Sequence, residues 1–342
     1  MRICSIASGS SGNCVYVGSE QTHVLIDAGC SKKKIVEGLN GIGLTLEDVN
    51  AILLTHEHSD HIGGLRVLMK HCAAPVYATR GTLASVFPEA ESVGAAAPRD
   101  VMDSAEHLVR HENECLGAAA PGGRMDSAER LVRHGAETTG SAECPAKPER
   151  SGTIGRQGRR LAAERDGIMQ HAGRRLTRIT ADTEFHIGDL RIAPFRISHD
   201  AAEPVCFRVS GGDKTFVLAT DMGTFDDYTA SYLENADVLM LEANHDIRML
   251  QAGPYPYMLK QRILSDRGHL SNDASSELLN RVLHDRLQTI MLGHLSECNN
   301  LPELAYETVR LGIEMEESPY HGNDFRLMVA DRRLPSPVIT CD

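Results

Sequence analysis

The chain opens on short apolar runs that stop at glycine, serine or asparagine. Residues 3–7 and 14–18 flank the turn Ser-Gly-Ser-Ser-Gly-Asn at 8–13, and a third run follows at 24–27, a pattern that predicts antiparallel β-strands. Ser31 then stands where a helix N-cap belongs, with Ile35, Val36 and Leu39 on one face behind it. A strand over 51–54, a helix after His61 carrying Leu65, Leu68 and Met69, and a strand over 75–78 follow. Further on, strands are expected at 185–187, 190–197, 205–209, 215–219, 238–241 and 289–292, with helices after Ser271 and over about 302–311. Two sheets flanked by helices account for that order.

Between about 89 and 178 the pattern gives way to Ala, Gly, Arg, Glu and Ser with few large apolar residues, a composition that cannot bury much core. The segment reads as a low-complexity insertion within a single domain spanning 1–342. It holds a near-duplication: Gly-Ala-Ala-Ala-Pro at 94–98 and again at 117–121, each followed by Met-Asp-Ser-Ala-Glu and Leu-Val-Arg-His. Two copies do not make a solenoid, although each copy can form a short amphipathic helix. The arginine-rich stretch 150–178 reads as a solvated loop, with a nucleic-acid arm as the functional alternative.

At 342 residues and 42% hydrophobic, the chain can bury a large core. Its first residues lack the charged region and long apolar stretch of a signal peptide, and no run approaches the roughly 18 apolar residues that cross a bilayer. Nine cysteines, an odd number without a Cys-x-x-Cys pair, argue against a disulfide scaffold and for a reducing, cytoplasmic setting. The formal net charge of −12 at first sight opposes nucleic-acid binding. Local charge decides, however, because bound dications place positive charge where a phosphate must sit.

The most informative segment is Thr-His-Glu-His-Ser-Asp-His at 55–61, just after an apolar run. In a near-extended segment residues two apart share a side, so His56 and His58 can grip one ion while the turn sends Asp60 and His61 toward a second. Imidazole and carboxylate together suit zinc, manganese or iron, and the absence of a thiolate argues against an iron–sulfur or purely structural zinc site. Three more ligand types recur at later strand ends: His199 after 192–197, Asp221 after 215–219 and His294 after 289–292.

The cluster resembles the His-x-His-x-Asp-His signature of the metallo-β-lactamase superfamily of binuclear metallohydrolases. The resemblance implies an α/β fold, a four-layer αββα sandwich, holding two divalent ions, zinc or manganese. It places His56, His58 and His199 on one ion and Asp60, His61 and His294 on the other, with Asp221 bridging both and a metal-bridging hydroxide as nucleophile. Glu242-Ala243 and Gly268-His269-Leu270-Ser271 resemble segments of the phosphodiesterase branch. By that resemblance Glu242 orients His269, which protonates the leaving oxygen; Asp60, Glu242 and His269 are the candidate catalytic residues. His245 reads as a supporting residue and not as a ligand.

With Ala-Thr-Arg-Gly-Thr at 78–82, Ser-His-Asp-Ala-Ala-Glu-Pro at 198–204 and Gly-Pro-Tyr-Pro at 253–256, these segments are similar to the WalJ/YycJ branch. That family comprises cytoplasmic bacterial hydrolases with 5′-to-3′ exonuclease activity on DNA, encoded near a cell-wall regulatory two-component system. DNA as partner, a cytoplasmic location and no membrane association follow from the likeness, while monomer and homodimer stay open. Two departures stand out: the 89–178 segment is longer than the family pattern, and Cys206 sits where glycine is common. A separate β-CASP clamp domain is not apparent.

The turn residues Ser10, Ser11, Gly12 and Asn13 are either a backbone cradle for a substrate phosphate or simply a hairpin turn. Two rival functions remain: a glyoxalase II-like thioesterase or lactonase with the same ligands, and a regulatory scaffold linked to cell-wall signalling. The first differs at the leaving-group end, and the second has little need of a complete ligand set.

Overall fold

Apolar residues that follow one another along a strand are buried on both faces of a sheet, and this condition organises the chain. In Cys14–Gly18 (β2), Val15 and Val17 face one apolar cluster, while Cys14 and Tyr16 face another. His23–Ile26 (β3) and Ala51–Leu53 (β4) divide likewise, with Val24, Ile26, Ala51 and Leu53 on the first side and Leu25 and Ile52 on the second. The structure, a computed structural model, describes residues 1–88, 99–100, 175–316 and 318–341, which fall in one compact unit. The near-duplication lies outside the described residues.

One sheet has the order Ile339–Thr340 (β15), Arg2–Ala7 (β1), β2, β3, β4, Val76–Thr79 (β5), Leu176–Ile179 (β7), Arg99–Asp100 (β6). The other runs Arg326–Val329 (β14), Thr289–Gly293 (β13), Val238–Glu242 (β12), Lys214–Ala219 (β11), Val205–Gly211 (β10), Leu190–Arg196 (β9), Phe185–Ile187 (β8). Between them lies a core in which Val15, Ile26 and Leu53 join Phe207, Phe216, Val238 and Met291. The outer face of the first sheet is covered by Lys32–Gly41 (α1) through Ile35 and Leu39. On the second, Asn272–Val282 (α8) and Pro302–Met315 (α9) bring Leu278, Val282, Val309 and Ile313 against Leu239, Leu241 and Ile290. Helix, sheet, sheet, helix is the four-layer sandwich the sequence predicts.

Packing outweighs capping in these layers. Ser31 caps α1 by accepting from the Lys34 N–H, a contribution of about 1 kcal/mol. Burying Ile35 and Leu39 contributes about 2 kcal/mol each, so the apolar face does more than the cap to hold the helix in place.

The structure departs from the sequence pattern in three places. Where one helix was expected after His61 there are two single turns, Ser59–Ile62 (α2) and Leu65–Leu68 (α3). The ladder breaks at Gly64, whose N–H donates to the Ala28 carbonyl at 2.8 Å, and only glycine fits there, because a Cβ would lie 1.9 Å from the Cys30 carbonyl oxygen. Arg80–Val86 (α4), Asp227–Leu233 (α5), Ile247–Ala252 (α6), Tyr257–Ile263 (α7), β14 and β15 had no clear signal. In α7 no residue is buried, Leu259 and Ile263 facing the cleft and not the core, and β14 is an edge strand of intermediate exposure.

The third departure corrects the boundary near 178. Leu176–Ile179 pairs in parallel with β5, with Val76 opposite Leu176, and Leu176 and Ile179 are buried. Arg175, expected in a solvated loop, donates to the carbonyls of Met69 (2.8 Å) and Cys72 (2.5 Å). The backbone of β6 adds a short parallel strand beyond β7. After α4 the polypeptide thus supplies the edge strand β6 and then β7, which lies between β5 and β6.

Strand direction then gathers the site. β3, β4 and β5 are parallel to one another, as are β11, β12 and β13, so their carboxyl ends emerge at common edges. Among the described residues no helix is long and apolar enough to cross a membrane.

Candidate metal centre

Beyond β4 the chain turns sharply through His56, His58 and α2, held from beneath by two neighbours. Gly29 passes so close that a Cβ there would lie 1.6 Å from the Asp60 carbonyl oxygen. The Asn13 N–H donates to that same oxygen at 2.7 Å. His199 follows β9, Asp221 follows β11, Glu242 ends β12 and His294 follows β13. Asp27, Asp221 and His294 have φ of 62°, 61° and 55°, three of the five non-glycine positive-φ residues among those described. Left-handed backbone is costly for such residues, so the surrounding fold enforces it here.

All seven residues expected as ligands meet at this edge. Donor atoms of His56, His58 and His199 lie within 4.8 Å of one another, as do those of Asp60, His61 and His294, and those of His56, His61 and Asp221. His58 Nδ1 is 3.2 Å from His199 Nε2. His61 Nε2 is 3.5 Å from Asp60 Oδ2 and 3.4 Å from Asp221 Oδ2, and His294 Nε2 is 3.4 Å from both Asp60 Oδ2 and Asp221 Oδ1. Ligands about 2.1 Å from a tetrahedral ion are separated by about 3.4 Å, so this spacing fits shared metal ions.

The outward nitrogens are equally informative. Nδ1–H of His61 donates to Asp27 Oδ2 (2.8 Å), that of His199 to the Gly268 carbonyl (3.1 Å), and that of His294 to Glu242 Oε1 (2.9 Å). His56 Nδ1 meets Thr55 Oγ1 at 2.9 Å, and Thr55 donates onward to Asp27 Oδ2. Each contact fixes a tautomer with Nε2 turned inward, the arrangement characteristic of metal-binding imidazoles. Inside the cluster, His56 Nε2 and Asp221 Oδ2 are buried with no hydrogen-bond partner among the described residues. Buried polar atoms left unmatched are costly, and a cation between them removes that cost.

Electrostatics agree. Burial pushes the His56 and His199 imidazoles down. Burial opposes charge on His61 and His294 too, but Asp221, with Asp27 at the first and Asp60 and Glu242 at the second, raises both well above the ordinary histidine range. Against its own burial, Asp221 is held well below the carboxylate range by the charges of His294 and His61, and Asp60 is lowered by hydrogen bonds from the same two. The pocket is an anionic well whose carboxylates favour positive charge at His61 and His294.

Glu242 joins this centre to the third candidate. Its Oε1 accepts from His269 Nδ1–H at 2.7 Å as well as from His294, while Oε2 accepts the N–H groups of Met222 (2.8 Å) and Leu270 (3.3 Å). Burial would raise the Glu242 carboxyl, yet the charges and hydrogen bonds of His269 and His294 bring it down to about 2. His245 stands apart from the ligands: it is buried and neither ring nitrogen has a partner among the described residues. Burial lowers it to about 4.

The serine-glycine turn is spent largely on its own geometry. Gly12 N–H donates to the Gly9 carbonyl (2.9 Å), and Asn13 accepts from Gly9 N–H through Oδ1 (2.7 Å) while donating to Asp60 Oδ2 (3.2 Å). Of Ser10, Ser11, Gly12 and Asn13, only Ser10 lines the cleft of about 380 Å³ above the centre, alongside Asp60, Asp221, His269 and His294. Cys206 is buried, and its thiol donates to the Thr220 carbonyl at 3.2 Å. Sequence reasoning missed Asp27 and Thr55, although an aspartate ending a buried strand next to β4 was a usable signal. It also missed Asn244, whose amide donates to the His294 carbonyl at 2.9 Å.

Comparison with known proteins gives the same picture. The family described as Metallo-beta-lactamase superfamily matches residues 7–140, and the Beta-lactamase superfamily domain matches 134–290. Exodeoxyribonuclease WalJ of Streptococcus pneumoniae is 34% identical over 304 residues, 89% of this chain and 85% of that protein. Exodeoxyribonuclease YycJ of Bacillus anthracis is 29% identical over 333 residues, 97% of this chain and 96% of that protein. The crystal structure of YhfI from Bacillus subtilis, a metallo-β-lactamase fold protein, superposes with a TM-score of 0.55 at 12% identity, covering 98% of this chain and 99% of its own, which shows the shared fold. By its identity to WalJ along nearly nine-tenths of its length, the chain belongs to the WalJ/YycJ family of the metallo-β-lactamase superfamily.

Proposed function

We propose that the protein is a binuclear metal-dependent phosphodiesterase, a DNA exonuclease that works 5′ to 3′, with zinc or manganese as its ions. His56, His58 and His199 would hold one ion, Asp60, His61 and His294 the other, and Asp221 would touch both. Such a pair supplies Lewis acidity, a nucleophile at neutral pH and positive charge for a phosphate. The chain is read as one such domain, 1–342, with an insertion between α4 and β7.

The observation that carries this reading is the Glu242–His269 pair. Glu242 holds Nδ1 of His269 at 2.7 Å, which leaves Nε2 as the nitrogen for the cleft that His269 lines. A sugar alkoxide is a poor leaving group and needs a proton, which Nε2 is placed to deliver. A thiolate, whose conjugate acid has a pKa of about 8.5, departs without one. A general acid beside the ligand set therefore favours a phosphodiester over the thioester of a glyoxalase II-like enzyme. The exodeoxyribonuclease names of WalJ and YycJ support DNA as the nucleic acid.

The test is digestion of end-labelled single- and double-stranded DNA and RNA by protein of measured metal content. DNA labelled at its 5′ end is expected to lose the label as the first small product, and DNA labelled at its 3′ end to shorten progressively. Preferential cleavage of RNA, loss of the 3′ label first, or turnover of a glutathione thioester with DNA left intact would each sink the assignment.

A further inference from the structure

Among the described residues that line the cleft above the centre, Arg262 of α7 is the single arginine or lysine. Its Nε–H donates to Asp200 Oδ2. The other oxygen of Asp200 is sealed from solvent without a hydrogen-bond partner among the described residues, 3.5 Å from His199 Nε2 and 3.7 Å from His58 Nε2. The carboxylate is thus wedged against two ligand imidazoles and grips the guanidinium by one edge only. With Nε engaged, the two Nη groups remain as a planar fork, and the side chain is about half exposed, at 54%. A fork of that kind matches two oxygens of a phosphate in a bidentate contact that lysine cannot reproduce. Since α7 buries no side chain in the core, packing does not account for an arginine at this position.

We propose that Arg262, oriented by Asp200, clamps a backbone phosphate of the nucleic-acid substrate beside the metal centre, an inference that rests on the phosphodiesterase reading above. A phosphate contact is blind to base identity, as an enzyme advancing nucleotide by nucleotide requires. It also gives a net-negative protein a local foothold on a polyanion.

The test is fluorescence anisotropy of a phosphorothioate single-stranded oligodeoxynucleotide with the metal-loaded full chain, over a range of salt concentrations. Arg262→Ala is expected to raise Kd about tenfold and to reduce the slope of log Kd against log salt by about 0.7, the value for one phosphate on a single strand. Arg262→Lys should keep the slope and recover only part of the affinity. Metal content is measured alongside. If Arg262→Ala binds with the parent's Kd and slope while the parent degrades DNA, the clamp is wrong and the phosphodiesterase reading stands. If Arg262→Ala sheds metal while Arg262→Lys binds like the parent, Arg262 serves only as counter-ion to Asp200, which also overturns the clamp. A parent that neither binds nor cleaves DNA overturns both.

Discussion

Asp27 and His61 meet at the floor of the centre, Oδ2 of the aspartate 2.8 Å from Nδ1 of the imidazole, both buried. Asp27 also accepts the Thr55 N–H and hydroxyl at 2.9 Å each, so one carboxylate fixes a proposed ligand and the start of the ligand-bearing turn.

Replacing Asp27 by Asn keeps an acceptor in place but removes the charge that raises the basicity of His61. Metal affinity is expected to fall by about 10- to 100-fold, the usual effect of losing such an outer partner. Competition with a chromophoric chelator measures it. Unchanged affinity would show that Asp27 only supports the backbone.

His269→Ala is expected to separate substrates by leaving group. Turnover of DNA should drop by about 10² to 10⁴-fold, the range for loss of a general acid, while bis(p-nitrophenyl) phosphate, whose phenolate leaves unaided, should lose far less. Equal losses on the two substrates would remove the proton-donor role. Glu242→Gln should follow the same pattern and in addition weaken metal binding, because Glu242 also holds His294.

Metal uptake is expected to release protons. The carboxylates around His61 and His294 raise both well above the ordinary value of 6.5, so an incoming ion competes with protons for them. His56 and His199 are lowered and contribute none. Affinity should therefore increase with pH through neutrality. Calorimetry in buffers of different ionisation enthalpy should show net proton release on binding at pH 7; a count near zero contradicts the arrangement.

His245 makes the fold sensitive to acid. Its folded-state value of about 4 lies below the ordinary 6.5, so the folded protein favours neutral imidazole. The unfolded chain takes up the proton first as pH falls. Stability from this residue is complete above pH 6.5 and is lost between 6.5 and 4, about 3 kcal/mol in all. Denaturant titrations of His245→Phe should be flatter than those of the parent across that window, and parallel curves would exclude His245 as the source.

The sandwich and the clustering of the candidate ligands were legible in the sequence because strands buried on both faces leave uninterrupted apolar runs, and polar residues beyond the end of such a run mark the sheet edge. His199, Asp221 and His294 each stand two residues beyond the end of such a run and were found as the next members of an ordered set. Asp27 met the same condition but closed a run with no histidine near it in sequence, and its partner His61 is brought to it only by the pairing of β3 with β4. Arg262 had no local signal, because the relationship that orients it spans 62 residues and α7 buries no side chain that would mark it as a core helix. The end of the inserted segment was misplaced because Leu176-Thr-Arg-Ile179 is too short and too charged to look like a strand until β5 is beside it.

His56, His58, Asp60 and His61 extend from one sheet, whereas His199, Asp221 and His294 extend from the other. An ion gripped by both groups would act as a rivet through the sandwich, so that the layers could not slide or part without first ejecting it. Resistance to proteases and slow loss of the bound cation would then be a single property, set by how seldom the two halves come open.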